Sequence, residues 1–250
     1  MTKTFAMLVS LALIVTVAVS PVWAVGDKVR SDNATGPAGE DVWGDPQVSR
    51  GTPVGESVQK LSVQEDMKGK NGQSGTTATL SPEEILDLVY LREEEKLARD
   101  VYLHLYNTWG QWVFENIAAS EQQHMDAVET LLDRYGIDDP VDEDVEGEFT
   151  NKDLGALYET LINTGDESAI NALLVGATIE DMDIHDILQM LAITKKPDLI
   201  SVYENLMKGS RNHLRSFCSL LATMGESYTV QYLTQEEVDA ILDTPKETGP

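Results

Sequence analysis

Four long stretches of the chain carry apolar residues at the heptad spacing of amphipathic helices, and no stretch shows convincing strand alternation. Residues at this spacing share one face of a helix. The long helices are predicted from Ser81 to about Asn107, and over about 113–135, 167–193 and 198–224. Four such helices fold most simply into a bundle in which their apolar faces meet.

Cap signals mark where these helices begin and end. Ser81, Asn151 and Thr234 are N-cap candidates, and Gly136 and Gly165 are stop signals. Asn151 and Thr234 begin two short accessory helices. The acidic loop 137–150 and the first short helix make a long connection between the second and third long helices. We therefore predict an all-α four-helix bundle over 81–240, with a long crossover between helices 2 and 3, short accessory helices and a disordered tail at 241–250.

Acids and imidazoles interrupt each of the four apolar faces half-way along its helix. The polar members are Glu95 on the first helix, Glu121 and His124 on the second, Glu180 and Asp183 on the third, and Ser210 and His213 on the fourth. Unpaired charge in an apolar core costs several kcal/mol or more. Three glutamates, one aspartate and two histidines at one level therefore indicate a compensating cation.

Carboxylate oxygens and imidazole nitrogens suit iron or manganese. Glu121 and His124 form a Glu-x-x-His pair, which places both side chains on one helix face, as in di-iron bundles. Taken alone, such a pair more often lies on a solvated helix face. A metal is favoured only because the other three apolar faces are interrupted by polar residues at the same level. Glu94 points away from the apolar face and is predicted to be solvated, and His104 and His185 are predicted to lie at the surface.

Several sequence runs resemble the ferritin-like superfamily, and specifically the rubrerythrin-type di-iron proteins. Glu95 with Ala98 and Tyr102 resembles the first-helix motif of that group, and Glu121 with His124 resembles the second. More closely, the runs LREEEKLARDVY, WGQWVFENIAASEQQHM, GATIEDMDIHDI and GSRNHLRSF resemble an uncharacterised ferritin-like family, domain of unknown function 2202. That resemblance covers about 81–240 and implies a fold rather than a known activity.

The resemblance implies two irons per chain, with manganese as an alternative metal. The implied ligands are Glu95, Glu121, His124, Glu180 and His213. The chain departs from the pattern at Ser210, where a fourth-helix glutamate is expected, and Asp183 is the candidate replacement. Tyr102 either hydrogen-bonds a ligand carboxylate or only packs in the core.

The first 80 residues of the sequence predict an exported protein. Residues 1–24 have the lysine, the apolar run and the small-residue ending of a signal peptide, with an uncleaved anchor as the alternative. Residues 25–80 are rich in Gly, Ser, Pro and Asp and are predicted to be a disordered linker. The expected location is periplasmic, extracellular or tethered to the outer face of the cell membrane.

The net charge and the cysteine content exclude some classes of partner and of metal centre. A net charge of −25 repels phosphate backbones, so nucleic acid is not an expected partner. The single cysteine, Cys218, can form neither an intramolecular disulfide nor a four-thiolate metal centre. Its apolar setting predicts a buried core thiol. Trp112 and Phe114 are candidates for a homodimer contact, with core packing as the alternative.

Three functions remain open at this stage. The first is ferrous-iron oxidation or peroxide reduction with an external electron donor, in which peroxide or dioxygen is the oxidant. The second is non-catalytic storage or scavenging of iron, manganese or zinc. The third is a structural bundle whose polar cluster sets the register of the helices. No Gly-rich phosphate loop and no GxSxG turn supports other chemistry.

Overall fold

A computed structural model describes residues 79–141 and 145–249 of the chain. The predicted signal peptide, and the predicted linker up to residue 78, lie outside the described residues. Within the described ranges the chain is all-helical and has no strand, which confirms the all-α part of the predicted fold class. The six helices are α1 (Pro82–Trp109), α2 (Trp112–Tyr135), α3 (Lys152–Gly165), α4 (Ala169–Ile193), α5 (Pro197–Thr223) and α6 (Gln235–Leu242).

Local capping interactions define the helix ends that the sequence predicts. The Ser81 hydroxyl accepts a hydrogen bond from the backbone N–H of Glu84, whose carboxylate accepts one from the backbone N–H of Ser81. This reciprocal pair satisfies two donors that the first turn of α1 leaves free. Thr234 begins α6 with the same arrangement, and the Asn151 side chain caps α3. Gly136 ends α2 with a φ of 68°, a conformation that glycine adopts without strain.

The four long helices pack side by side in two pairs. α1 packs along α2, and α4 packs along α5. Contacts between α1 and α4, and between α2 and α5, join the two pairs. The short helix α3 lies in the connection between α2 and α4 and packs on α1 and α4. None of the helices in the described ranges is both long and apolar enough to cross a membrane.

The apolar core is divided into two clusters. One contains Val101, Phe114 and Phe217, and the other contains Leu88 and Val128. Between them lies a buried group that we call the polar layer, which consists of Glu95, Glu121, His124, Glu180, Asp183 and His213. The helices α1, α2 and α5 each contribute apolar side chains to both clusters and polar side chains in between.

The loop before α3 covers the outer side of α1. The Lys96 ammonium donates hydrogen bonds to the Asp100 carboxylate and, over 2.7 Å, to the carbonyl of Val145. The Glu93 carboxylate accepts hydrogen bonds from the backbone N–H of Asn151. Charged residues on this side of α1 are therefore buried, although it faces away from the apolar clusters.

The segment after α5 is attached to the bundle by charged side chains. Asp181 on α4 accepts hydrogen bonds from the hydroxyl of Tyr228 and from the backbone N–H groups of 231–233. Glu247 lies in the segment for which the sequence predicts a disordered tail. There it is bound by the guanidinium groups of Arg211 and Arg215 on α5. Arginine–carboxylate hydrogen bonds thus hold 241–249 against α5.

Three residues outside the polar layer can be compared with their predictions. Phe114 is fully buried and stacks with Tyr102. It therefore packs in the core and is not available for a homodimer contact. Trp112 is 54% exposed and stays a candidate for such a contact. Cys218 is partly buried against the core, and burial raises the pKa of its thiol to about 12.

Candidate metal centre

The polar layer brings together three carboxyl or imidazole groups from two helices, α1 and α2, at a single point. His124 Nδ1 lies 2.6 Å from Glu121 Oε2 and 3.2 Å from Glu95 Oε2. One ligand atom from each of these three residues lies within 4.8 Å of the others. The Glu-x-x-His spacing of α2 places Glu121 and His124 together, and the packing of α1 against α2 adds Glu95.

Glu121 also faces the second histidine of the layer. Its Oε1 lies 3.1 Å from Nδ1 of His213 on α5, and that nitrogen lies 3.4 Å from Oε2 of Glu180 on α4. The two imidazole rings stack with their centroids 5.8 Å apart. Each carboxylate oxygen of Glu121 therefore faces a different histidine, as a bridge between two adjacent half-sites would require.

Tyr102 combines the two roles that its position predicts. Its ring packs between Phe114 and Phe217 in the core. Its hydroxyl donates over 3.4 Å to Glu180 Oε1 and over 3.3 Å to the carbonyl of Gly176. The apolar ring thus fixes a donor that orients one carboxylate of the polar layer.

Ser210 occupies the position at which the resemblance predicts a glutamate. Its hydroxyl donates a hydrogen bond to Asp183 Oδ2 and contacts the carbonyl of Leu206 over 3.0 Å. Both side chains are buried. Asp183 Oδ1 has no hydrogen-bond donor in the described ranges. A carboxylate from α4 thus lies beside Ser210 in the buried layer.

Gly209 makes room for a histidine of the layer, and the sequence analysis did not identify this role. A Cβ at position 209 would lie 2.6 Å from His124 Nε2 and 2.8 Å from His124 Cε1. Such distances are too short for any side chain, so only glycine allows the imidazole to lie against α5. The available signal was a glycine in the interior of a helix, directly before Ser210, where it is normally unfavourable.

The prediction that Glu94 is solvated is wrong. Its side chain is fully buried, and neither carboxylate oxygen has a hydrogen-bond donor in the described ranges. The reason is that α1 is enclosed on all sides between Leu91 and Tyr102. A residue that points away from the apolar face is therefore still inside the protein. The two other histidines, His104 and His185, are partly exposed and bind Asp166 and Asp186, respectively.

Burial and mutual repulsion shift the pKa values of the polar layer. Burial raises the pKa of Glu95 to about 8, and the nearby His124 only partly opposes this effect. Burial also raises the pKa of Glu180, which Glu121 and Asp183 raise further by repulsion. For His124, burial lowers the pKa, but Glu121 and Glu95 overcome this effect and raise it well above 6.5. Four carboxyl groups thus face two imidazoles, and the layer carries an excess of negative charge when ionised.

The donor set of the layer fits a transition metal. Several carboxylate oxygens accept no hydrogen bond in the described ranges, among them Glu95 Oε1, Glu180 Oε2 and Asp183 Oδ1. A buried acceptor without a partner costs about 1–3 kcal/mol. Carboxylates with imidazole are ligands of iron, manganese and zinc. A cation at this point would satisfy the free oxygens and the charge excess together.

Comparison with known proteins places the chain in a family. The model of an uncharacterized protein domain, DUF2202, matches residues 84–245. The chain belongs to the DUF2202 family. The uncharacterized protein MJ0754 of Methanocaldococcus jannaschii is 52% identical over 170 residues, which are 68% of this chain and 92% of that protein. This match confirms the resemblance to the family of unknown function.

A solved structure is similar as well. It is the crystal structure of the hypothetical protein MJ0754 from Methanococcus jannaschii DSM 2661, with a TM-score of 0.68 and 50% sequence identity. The match covers 70% of this chain and all of that chain. The helical part of this DUF2202 protein therefore has a fold that is similar to a solved one.

Proposed function

We propose that this DUF2202 protein holds two transition-metal ions, iron with manganese as the alternative, in the polar layer of a ferritin-like four-helix bundle. The observation that carries the proposal is that the two oxygens of Glu121 face two different histidines, His124 and His213. One metal would be held by Glu95, Glu121 and His124. The other would be held by Glu121, Glu180 and His213, with Asp183 in the place of the expected glutamate.

The packing of the helices supports the ferritin-like assignment. Two antiparallel helix pairs with a long crossover between the second and third long helices are one of the known bundle topologies. In di-iron bundles, glutamates and Glu-x-x-His motifs project inward from facing helices. Here α1, α2, α4 and α5 all contribute to the polar layer.

The proposed activity is ferrous-iron oxidation or reduction of peroxide. A pair of irons can exchange two electrons with dioxygen or peroxide, and two-metal sites typically have a separation of about 3.5–4 Å. The chain would hold the ligands in fixed positions and exclude bulk water by the apolar clusters on both sides. Tyr102 would hold Glu180 in place, as groups behind metal ligands do. Because one cysteine cannot form a four-thiolate electron-transfer centre, peroxide reduction would need an external electron donor.

The same proposal includes export. The apolar run and small-residue ending of 1–24 support a signal peptide, and 25–80 would then act as a spacer. Such a protein would meet ferrous iron and peroxide outside the cytoplasmic membrane.

Metal storage or scavenging without turnover is the second candidate. The observation that favours it is the enclosure of the polar layer, in which His124 is the most exposed member at 8%. A closed site retains its metal well but admits an oxidant slowly. Turnover of peroxide or dioxygen by the loaded protein separates the two functions, since only the redox function consumes them.

Anaerobic loading with ferrous iron tests the metal site. The full chain is expected to bind two irons, and Glu121→Gln is expected to lose both because it removes the carboxylate that faces both histidines. His104→Ala serves as the matched control, since His104 binds Asp166 away from the polar layer. Stoichiometry is measured by metal analysis after desalting, and folding by circular dichroism. If no iron, manganese or zinc binds to the folded chain, the proposal is wrong and the polar layer is structural.

A further inference from the structure

A second group of carboxyls lies between α1 and α4, beside the polar layer. We call it the carboxyl row, and it consists of Asp87, Glu94, Asp183 and Asp186. Asp87 and Glu94 are seven residues apart on α1, and Asp183 and Asp186 are three apart on α4, so each pair shares one helix face. Only Asp183 belongs to the polar layer as well.

The row leads from the surface to the polar layer. Asp87 is partly buried, and the side chain of Asp186 is 24% exposed. Glu94 is fully buried, and Asp183 is buried within the layer. Leu88 and Ile187 lie in the same apolar cluster, so the outer members of the row lie toward the same end of the bundle. The outer two members are thus partly exposed, and the two members nearest the layer are buried.

Glu94 is the member that indicates a ligand. Neither of its oxygens accepts a hydrogen bond in the described ranges, although the side chain is completely buried. The side chain within hydrogen-bonding reach of it is another carboxyl, that of Asp186. Asp186 in turn has one oxygen bound by His185 Nδ1 at 2.8 Å. A fully buried carboxyl that faces a second carboxyl is stabilised by either a shared proton or a cation.

Repulsion within the row agrees with this arrangement. Burial raises the pKa of Asp87 to about 6, with contributions from Glu83, Glu84 and Asp186. Glu94 in turn lies close enough to Asp186 and Asp183 for their charges to repel its own. Each carboxyl of the row thus interacts with the next, and a divalent cation between them would relieve the repulsion.

We infer that Glu94 and Asp186 form an outer site at which a hydrated divalent cation binds before it passes, by way of Asp183, to the polar layer. The inference rests on the proposed metal-binding function and adds the route of loading. Two carboxylates suffice for a cation that keeps several of its waters, as Mg²⁺ does in many sites. The exposed part of Asp186 supplies access to solvent.

Manganese uptake by the full chain tests the outer site. The disappearance of the signal of free Mn²⁺ in electron paramagnetic resonance gives the rate, and equilibrium dialysis gives the number of ions bound. We expect Glu94→Gln and Asp186→Asn to leave that number unchanged and to slow loading about tenfold or more, because they remove the local attraction for the cation. Glu204→Gln, an exposed acid on α5, is the matched control and should load at the parent rate.

The possible outcomes distinguish a failure of the proposed loading route from a failure of the proposed metal-binding function. If the parent binds manganese and both variants load as fast as the parent, the outer site is wrong and the proposed function stands. If Glu94→Gln lowers the number of ions, Glu94 is a ligand of the final site and the outer site is again wrong. If the parent binds no Mn²⁺ and no Fe²⁺, the proposed function and the route both fail. Thermal unfolding verifies that each variant is folded. If Glu94→Gln does not fold, the loading rate of Asp186→Asn alone tests the outer site.

Discussion

The hydroxyl of Ser210 on α5 donates a hydrogen bond to the carboxylate of Asp183 on α4. This contact lies where a di-iron pattern has a glutamate on the last long helix. At this position the chain pairs a hydroxyl on α5 with a short acid on α4, and the hydroxyl orients that acid. The chain keeps a carboxylate at this level of the bundle, although not at the expected sequence position.

Removal of this hydroxyl should destabilise the metal-free protein. Ser210→Ala leaves Asp183 Oδ2 without its buried donor, so we expect the free energy of unfolding to fall by about 1–3 kcal/mol. Urea denaturation at neutral pH measures the change. Ser216→Ala is the control, since that hydroxyl donates only to the carbonyl of Asn212 within α5. Equal losses in the two variants would contradict a specific role for the contact with Asp183.

A methyl group at position 209 should displace His124. Gly→Ala within a helix normally stabilises by about 0.5–1 kcal/mol, but at Gly209 the added Cβ would lie 2.6 Å from His124 Nε2. We expect Gly209→Ala to lose stability and to bind less metal at equilibrium, as dialysis against Mn²⁺ would measure. Gly155→Ala on α3 is the matched control, because its Cβ would meet only Phe149 at 3.9 Å. A gain in stability and full metal binding by Gly209→Ala would show that the imidazole does not need this space.

The stability of the metal-free protein should fall as the pH rises. The pKa of Glu95 is about 8 in the fold against an ordinary value of 4.5, so ionisation of Glu95 opposes folding across this range. His124 acts in the same direction, since its raised pKa gives stability below pH 6.5 that is lost as the pH rises through the folded value. Each group contributes at most about 1.4 kcal/mol per pH unit.

Denaturation of the metal-free chain at pH 5 and pH 8 measures this dependence. Glu95→Gln removes one of the groups whose pKa is raised and should reduce the loss of stability between these pH values. Glu204→Gln, an exposed acid, should leave it unchanged. A metal-free parent that is more stable at pH 8 than at pH 5 would contradict the raised pKa of Glu95.

Loss of Asp181 should release the segment after α5. This carboxylate accepts hydrogen bonds from Tyr228 and from three successive backbone N–H groups. Asp181→Ala leaves these donors without their acceptor, so we expect about 2–4 kcal/mol of lost stability. Limited proteolysis should then cut within 226–249 much faster than in the parent. Asp239→Asn changes an exposed acid on α6 and is the control. Unchanged cleavage in Asp181→Ala would show that Arg211 and Arg215 alone retain the segment.

Features that depend on neighbouring residues in the chain could be predicted from the sequence. The heptad spacing of apolar residues, the capping groups at Ser81 and Thr234 and the stop at Gly136 act within one or two helical turns. They therefore determine the helices and their ends. The polar positions on each face follow from the same spacing, and with them the six members of the polar layer.

Contacts between distant parts of the chain decided the rest. Glu94 is buried because its neighbours in the fold enclose α1 on all sides, and the spacing of residues along α1 does not predict that enclosure. The sequence around Asp181 is typical of a solvated acid on a helix. In the fold, the segment after α5 packs against Asp181 and donates hydrogen bonds to it. The need for glycine at position 209 arises because an imidazole from another helix, that of His124, lies against it. The sequence by itself determined which faces are apolar and which residues meet at mid-height. Only the tertiary structure decided which charged groups are removed from water, because burial is a property of the packed helices and loops together.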